Sequence, residues 1–90
     1  MRLDKFLKVS RLAKRRTAAK EALDAGRIEL DGHAVKPSHH VKAGDELLIH
    51  YASRDLHVRI TAVPERPGAR VKPESLYDIL SDERVTGPGF

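Results

Sequence analysis

The spacing of the apolar residues changes at Gly26, from helical before it to alternating after it, and that single switch limits the chain to helices at the front followed by a sheet. Before the switch, Leu3, Phe6 and Leu7 share one side of a short helix, while Arg2, Lys5 and Lys8 recur every three residues on a neighbouring side. Ser10-Arg11-Leu12 reads as a break. The spacing predicts a second helix from Thr17 to Ala25, with Thr17 as its N-cap and Ala18, Ala19, Ala22 and Leu23 as its apolar stripe. Gly26 supplies the left-handed residue that ends it.

After the switch, Ile28 and Leu30 alternate with Glu29, and Asp31-Gly32 marks a tight hairpin turn into His33-Ala34-Val35. Lys42-Ala43-Gly44-Asp45 marks a second turn, followed by strands over Glu46 to Tyr51 and Leu56 to Val63 joined across Ala52-Ser53-Arg54-Asp55. Pro64, Pro67, Gly68 and Pro73 mark a loop, and Pro73-Glu74-Ser75 opens a helix expected to run to about Glu83, burying Leu76, Tyr77, Ile79 and Leu80. The expected fold is α+β: two short N-terminal helices packed on a small, mostly antiparallel sheet, with a C-terminal helix. Residues 1–63 form the main domain; residues 64–90 form a loop, that helix and a mobile tail.

Ninety residues make one modest core, because a chain this short buries only about 60–65% of its surface on folding. With two Phe, two Tyr and no Trp, the packing falls to aliphatic side chains. Cysteine is absent, which suits a reducing cytoplasm and removes disulfides, thiolate ligands and a thiol nucleophile together. Charges at Arg2, Asp4, Lys5 and Lys8 interrupt any secretory segment, and no run is long and apolar enough for a membrane, so a soluble cytoplasmic protein is expected.

The charge is unevenly placed. Residues 1–27 hold nine bases (Arg2, Lys5, Lys8, Arg11, Lys14, Arg15, Arg16, Lys20, Arg27) against Asp4, Glu21 and Asp24, a net +6. The remainder carries −2 of the chain's total of +4. A field gathered on one helix pair draws polyanions, so nucleic acid is the expected partner class. Arg11, Arg15 and Arg16 stand out because a guanidinium holds a phosphate bidentately and stacks on a base. Lys8, Lys14 and Lys20 read equally well as phosphate contacts or as solvating charges. Neither helix is long enough to read a DNA major groove, and few aromatics exist to stack single strands, which leaves the shape and phosphates of a folded RNA.

Enzyme chemistry finds little support. His33, His39, His40, His50 and His57 lack metal-ligand spacing, and no thiolate completes a site, so no metal or other cofactor is expected. The five serines lack a nucleophile elbow, Gly87-Pro88-Gly89 is a poor phosphate cradle, and Glu65, Glu74, Asp82 and Glu83 read as solvated carboxylates.

Arg2-Leu3-Asp4-Lys5-Phe6-Leu7, Ser10-Arg11-Leu12, Arg15-Arg16-Thr17-Ala18, Gly26-Arg27-Ile28, Gly32, Val35-Lys36-Pro37-Ser38 and Val41 to Leu47 together resemble the S4 RNA-binding domain family. The resemblance implies a helix pair gripping RNA. Among that family's members, a stand-alone chain opening on Arg2 to Leu7 is most similar to those of bacterial ribosome-associated quality control. That implies a non-catalytic, monomeric factor binding large-subunit rRNA and peptidyl-tRNA, and holding P-site tRNA while an RqcH-like factor adds C-terminal alanines. By the same resemblance, Arg2, Lys5, Arg11, Arg15 and Arg16 meet RNA phosphates, and Asp4 orients a neighbouring arginine or serves only the helix dipole. The rivals are a heat-shock type member of the family that rescues blocked large subunits, usually with a longer basic C-terminal extension, and a protein adaptor with a basic face.

Overall fold

The computed structural model describes residues 1–64 and 72–86. Helices α1 (Leu3–Val9) and α2 (Arg16–Asp24) precede strands β1 (Ile28–Leu30), β2 (His33–Ala34), β3 (Glu46–His50), β4 (Arg54–Ile60) and β5 (Tyr77–Arg84). The strands form one sheet in the order β2-β1-β3-β4-β5, with every neighbouring pair antiparallel. The α+β class, the helix pair and the antiparallel sheet therefore stand as the residue spacing predicts.

Helix α1 has no side-chain cap. Its first two amides donate instead to carbonyls of a distant loop, Leu3 to His39 at 2.7 Å and Asp4 to Pro37 at 3.2 Å. The third, Lys5, donates to the carboxylate of Asp4 at 2.8 Å. Orphan donors at a buried helix start need such partners, so the 37–41 loop is part of the helix's foundation. The break after Val9 is real: Ser10 is buried and hydrogen-bonds Leu7 O, and Arg11 adopts φ +60°, a left-handed backbone that costs a side-chain-bearing residue roughly 1–2 kcal/mol. Tyr51 donates its hydroxyl to Leu12 O and so ties this turn to the end of β3. Burial pushes the pKa of that hydroxyl up to about 12, which keeps it a donor at any ordinary pH.

The 3.6-residue repeat of α1 buries Leu3, Phe6 and Leu7 against Ala19, Ala22 and Leu23 of α2 and against the inner face of the sheet. That face is Ile28, Leu30, Leu47, Ile49, Leu56, Val58 and Ile60, the alternate positions of three strands. Among the described residues Phe6 is the one fully buried aromatic; Tyr51 and Tyr77 pack from the side. Asp31 and Gly32 take φ +50° and +85°, the pair of positive values that a two-residue hairpin turn requires.

Two expectations are corrected. Thr17 is not the N-cap of α2: the helix starts at Arg16 behind an extended Arg15, without a side-chain cap. Leu12 and Ala13 are anchored in the core immediately upstream, and the chain enters the helix sooner. The C-terminal helix is absent. Pro73–Leu76 makes one 3-10 turn that buries Leu76, and the chain then runs extended as β5. β5 pairs with the whole of β4, from Ile60↔Tyr77 to Arg54↔Arg84, satisfying a row of amides and carbonyls that a covering helix would have left open. A register shift between His57 and Val58 inserts Leu80 as an extra residue. That bulge places apolar residues at 76, 77, 79 and 80, a helix-like spacing in a strand. Ile79, opposite Val58, remains 58% exposed, and Leu80 41%. The loop positions Pro67 and Gly68, together with Glu65 and the end from Gly87 to Phe90, lie outside the described residues.

Leu7 has no exposed surface and sits where α1, α2 and the sheet meet. Leu7→Ala is expected to lower stability by roughly 2–5 kcal/mol. An unchanged unfolding midpoint in urea would show that this helix face is not core.

Candidate RNA-binding face

Asp4 is the second residue of α1 and is 0% exposed, the most deeply buried acidic group among the described residues. Arg2 grips it as a fork, Nε to Oδ1 at 3.2 Å and Nη2 to Oδ2 at 3.3 Å. Arg16, at the first position of α2, brings Nε to Oδ2 at 3.2 Å. Two guanidiniums from separate elements therefore share one buried carboxylate. A buried charge is tolerated only when donors surround it, and here two arginines and the Lys5 amide do so. Burial pushes the Asp4 carboxyl up, but the Arg16 hydrogen bond, the Lys5 amide and the two guanidinium charges outweigh it and hold the group below the usual carboxylate range.

The arginine side chains are themselves 43% and 45% exposed. Each guanidinium has five N–H donors, of which Asp4 takes two from Arg2 and one from Arg16, and both side chains keep exposed surface with donors left over. The unit carries a net +1 and suits phosphate oxygens.

The other expected contacts are displayed around it. Lys5 is half-buried and Lys8 exposed, each one step further along the Arg2 row of α1. Arg11 stands exposed on the left-handed turn, Lys14 and Arg15 lead exposed into α2, and Lys20 is exposed one turn after Arg16. Arg27 is set apart and half-buried at the junction of α2 and β1, where its amide donates to Ala22 O and its carbonyl accepts from the His50 amide.

Spacing missed a second charged unit, on the far face of the sheet. His50 places Nδ1 2.8 Å from Asp55 Oδ1 and Nε2 2.9 Å from Glu29 Oε2. A doubly protonated ring donates to both carboxylates, whereas a neutral ring sets a lone pair against one of them. Hydrogen bonds to Glu29 and then Asp55, opposed by desolvation, hold the His50 pKa above its ordinary value. Glu29, His50 and Asp55 meet only through the β1–β3–β4 register, which no local pattern reveals.

The S4 domain family matches residues 1–47, which span both helices, the β1–β2 hairpin and the turn before β3. Over 85 residues the chain is 45% identical to the RQC P-site tRNA stabilizing factor of Listeria innocua, covering 94% of this chain and 91% of that protein. It is 44% identical to the Bacillus subtilis protein of the same name, covering 94% and 98%. The trimeric structure of Vibrio cholerae Heat Shock Protein 15 superposes with a TM-score of 0.74 at 27% identity, over 90% of this chain and 82% of that one.

Both charged units give stability a pH signature. Asp4 has a folded pKa below its ordinary 3.8, so its contribution is present above that pH and lost as pH falls through the folded value. His50 has a folded pKa above 6.5, so its contribution is full below pH 6.5 and lost as pH rises through the folded value. Urea unfolding followed against pH is expected to show Asp4→Asn flattening the acid limb and His50→Gln flattening the limb above pH 6.5. A limb unchanged in either variant would remove that group from the balance.

Proposed function

The chain belongs to the S4 domain family, and within it to the group of RQC P-site tRNA stabilizing factors; from that premise we propose that it is a non-catalytic RNA-binding factor of ribosome-associated quality control. It binds a large ribosomal subunit obstructed by peptidyl-tRNA, contacts rRNA and tRNA phosphates, and steadies the P-site tRNA while an RqcH-like factor extends the stalled chain with alanines. Its place of action is the cytoplasm. The observation that carries the RNA-binding part is the Arg2–Asp4–Arg16 unit: two guanidiniums fixed before any RNA arrives, on a helix pair of net +6. Identity over nearly the whole length of the named relatives supports the quality-control part.

Fixing the arginines lowers the ordering cost of each contact, since a free arginine loses rotamer freedom when it binds. Arg11, Arg15 and Lys14 extend the cationic surface along the turn, and Lys5, Lys8 and Lys20 flank it. Nothing in this role requires a bond to be made or broken; the protein acts by adding contacts that exist only when subunit and tRNA are present together.

A heat-shock type rescue factor is the second reading, favoured by the likeness to Heat Shock Protein 15. The lower identity, and the net charge of −2 beyond residue 27, rank it behind the first.

Cosedimentation with isolated large subunits, with and without bound peptidyl-tRNA, over a salt series tests the proposal. Retention is expected to require the peptidyl-tRNA, and the slope of log K against log salt to lie near −3 to −5, about four to six phosphates at 0.7–0.9 each. Arg15→Ala, at an exposed residue with no bond to Asp4, is expected to weaken retention and make the slope shallower by about one contact. Equal retention on empty subunits would refute the P-site role, and a flat salt dependence would refute the electrostatic grip.

A further inference from the structure

The cationic surface does not end at the helix pair. Beside it, between the start of the chain and the turn before β3, lies a groove of about 830 Å³, within the roughly 300–1,000 Å³ of pockets that hold small ligands. Its rim carries Arg2, Lys5 and Lys42. Its floor is aliphatic, from Val41 and Ala43 on one side and Val63 and Pro64 on the other.

Lys42 is displayed from a braced turn. Its amide donates to Asp45 Oδ2 at 3.0 Å, its carbonyl accepts from the Asp45 amide at 3.2 Å, and Asp45 is buried. The Val41 amide donates to Met1 O at 3.0 Å, and the Gly44 amide donates to Ile60 O at 2.7 Å, so the turn is tied to the residues before α1 on one side and to β4 on the other. Gly44 has φ +98°, a backbone that an L side chain would strain. Three cations beside an aliphatic floor fit a flat ring, packed through its face, that is joined to an anionic group. An unpaired nucleotide has that form, with its base or ribose against the floor and its phosphate at the rim. A base-paired nucleotide offers the phosphate alone.

We propose that this groove is a subsite for one unpaired RNA nucleotide, adjoining the helix-pair surface through Arg2, with Lys42 as its outer phosphate contact. The inference rests on the RNA-binding reading above and adds to it a site for a single-stranded element. Arg2 belongs to both surfaces: it forks onto Asp4 and it also lines the groove.

Two RNA probes test this, a blunt hairpin and the same hairpin with three unpaired uridines at its 3′ end, titrated by fluorescence anisotropy across a KCl series. The intact protein is expected to bind the overhang RNA at least about fivefold more tightly, with a salt slope steeper by about 0.7, one single-stranded phosphate. Lys42→Ala keeps the backbone of the turn and is expected to bring the ratio of the two affinities to about one. Ala43→Glu, which sets a carboxylate on the floor, is expected to do the same. Lys20→Ala, on α2, is expected to weaken both RNAs alike and so keep the ratio. Equal binding of both RNAs by the intact protein, or a ratio that survives Lys42→Ala and Ala43→Glu, would overturn the groove while leaving the helix-pair reading in place. Binding of neither RNA would overturn both.

Discussion

A carboxylate with no exposed surface, held between two half-exposed arginines, is the contact on which the arrangement of this protein turns. Asp4 could not remain ionised at the start of α1 without donors on every side, and the donors come from three places: the residue before the helix, the next amide within it, and the first residue of α2. The same contact thus fixes the approach of the two helices and aims two guanidiniums outward. Truncating Arg16 would disturb both, because it would leave a buried charge with one fewer partner.

The rest of the molecule supports that contact from behind. The 37–41 loop accepts the first amides of α1, Tyr51 secures the turn between the helices, and the inner face of the sheet receives Leu3, Phe6 and Leu7. The outer face of the sheet has a different character. Cross-strand register lines up Glu29, Glu46, His50, Asp55, His57 and Arg59 there, with His57 Nε2 3.0 Å from Glu46 Oε1. On the RNA-binding reading proposed above, acidic groups away from the helices favour a polyanion on the helical side, so the charge asymmetry of the sequence becomes an orientation in space.

What could be read from the sequence was local. The two helices, the break at Ser10 to Leu12, the Asp31-Gly32 hairpin and the strands on either side of residue 52 all rest on periods and turn residues within a few positions of each other, and these elements stand, although β4 takes in Arg54 and Asp55 from the expected connection and ends at Ile60 instead of Val63. So does the row of bases on α1. The C-terminal helix failed because one inserted residue, Leu80, gave a strand the apolar spacing of a helix, and because the open edge of β4 is visible only once the sheet exists. Thr17 failed as a cap because the start of α2 is set by the core anchoring of Leu12 and Ala13 and not by its own first residues. Within the candidate site, a contact between Asp4 and a neighbouring arginine was implied by the family resemblance, and Arg2 makes one; that Arg16 is the second partner was not legible, since twelve positions separate the two. The groove at Lys42 and the histidine between Glu29 and Asp55 join three segments each, and no pattern along the chain encodes such meetings.

The central claim is that Arg2 and Arg16 are fixed in the free protein and used as fixed when RNA binds. Nuclear magnetic resonance of the arginine Nε–Hε groups tests it most directly, in the free protein and during titration with a hairpin RNA. The account predicts two distinct, exchange-protected Nε–Hε signals for Arg2 and Arg16 without RNA, both shifted on binding and both lost in Asp4→Asn. Signals for these arginines that exchange as fast as those of Arg11 and Arg15, or that ignore the RNA, would contradict it.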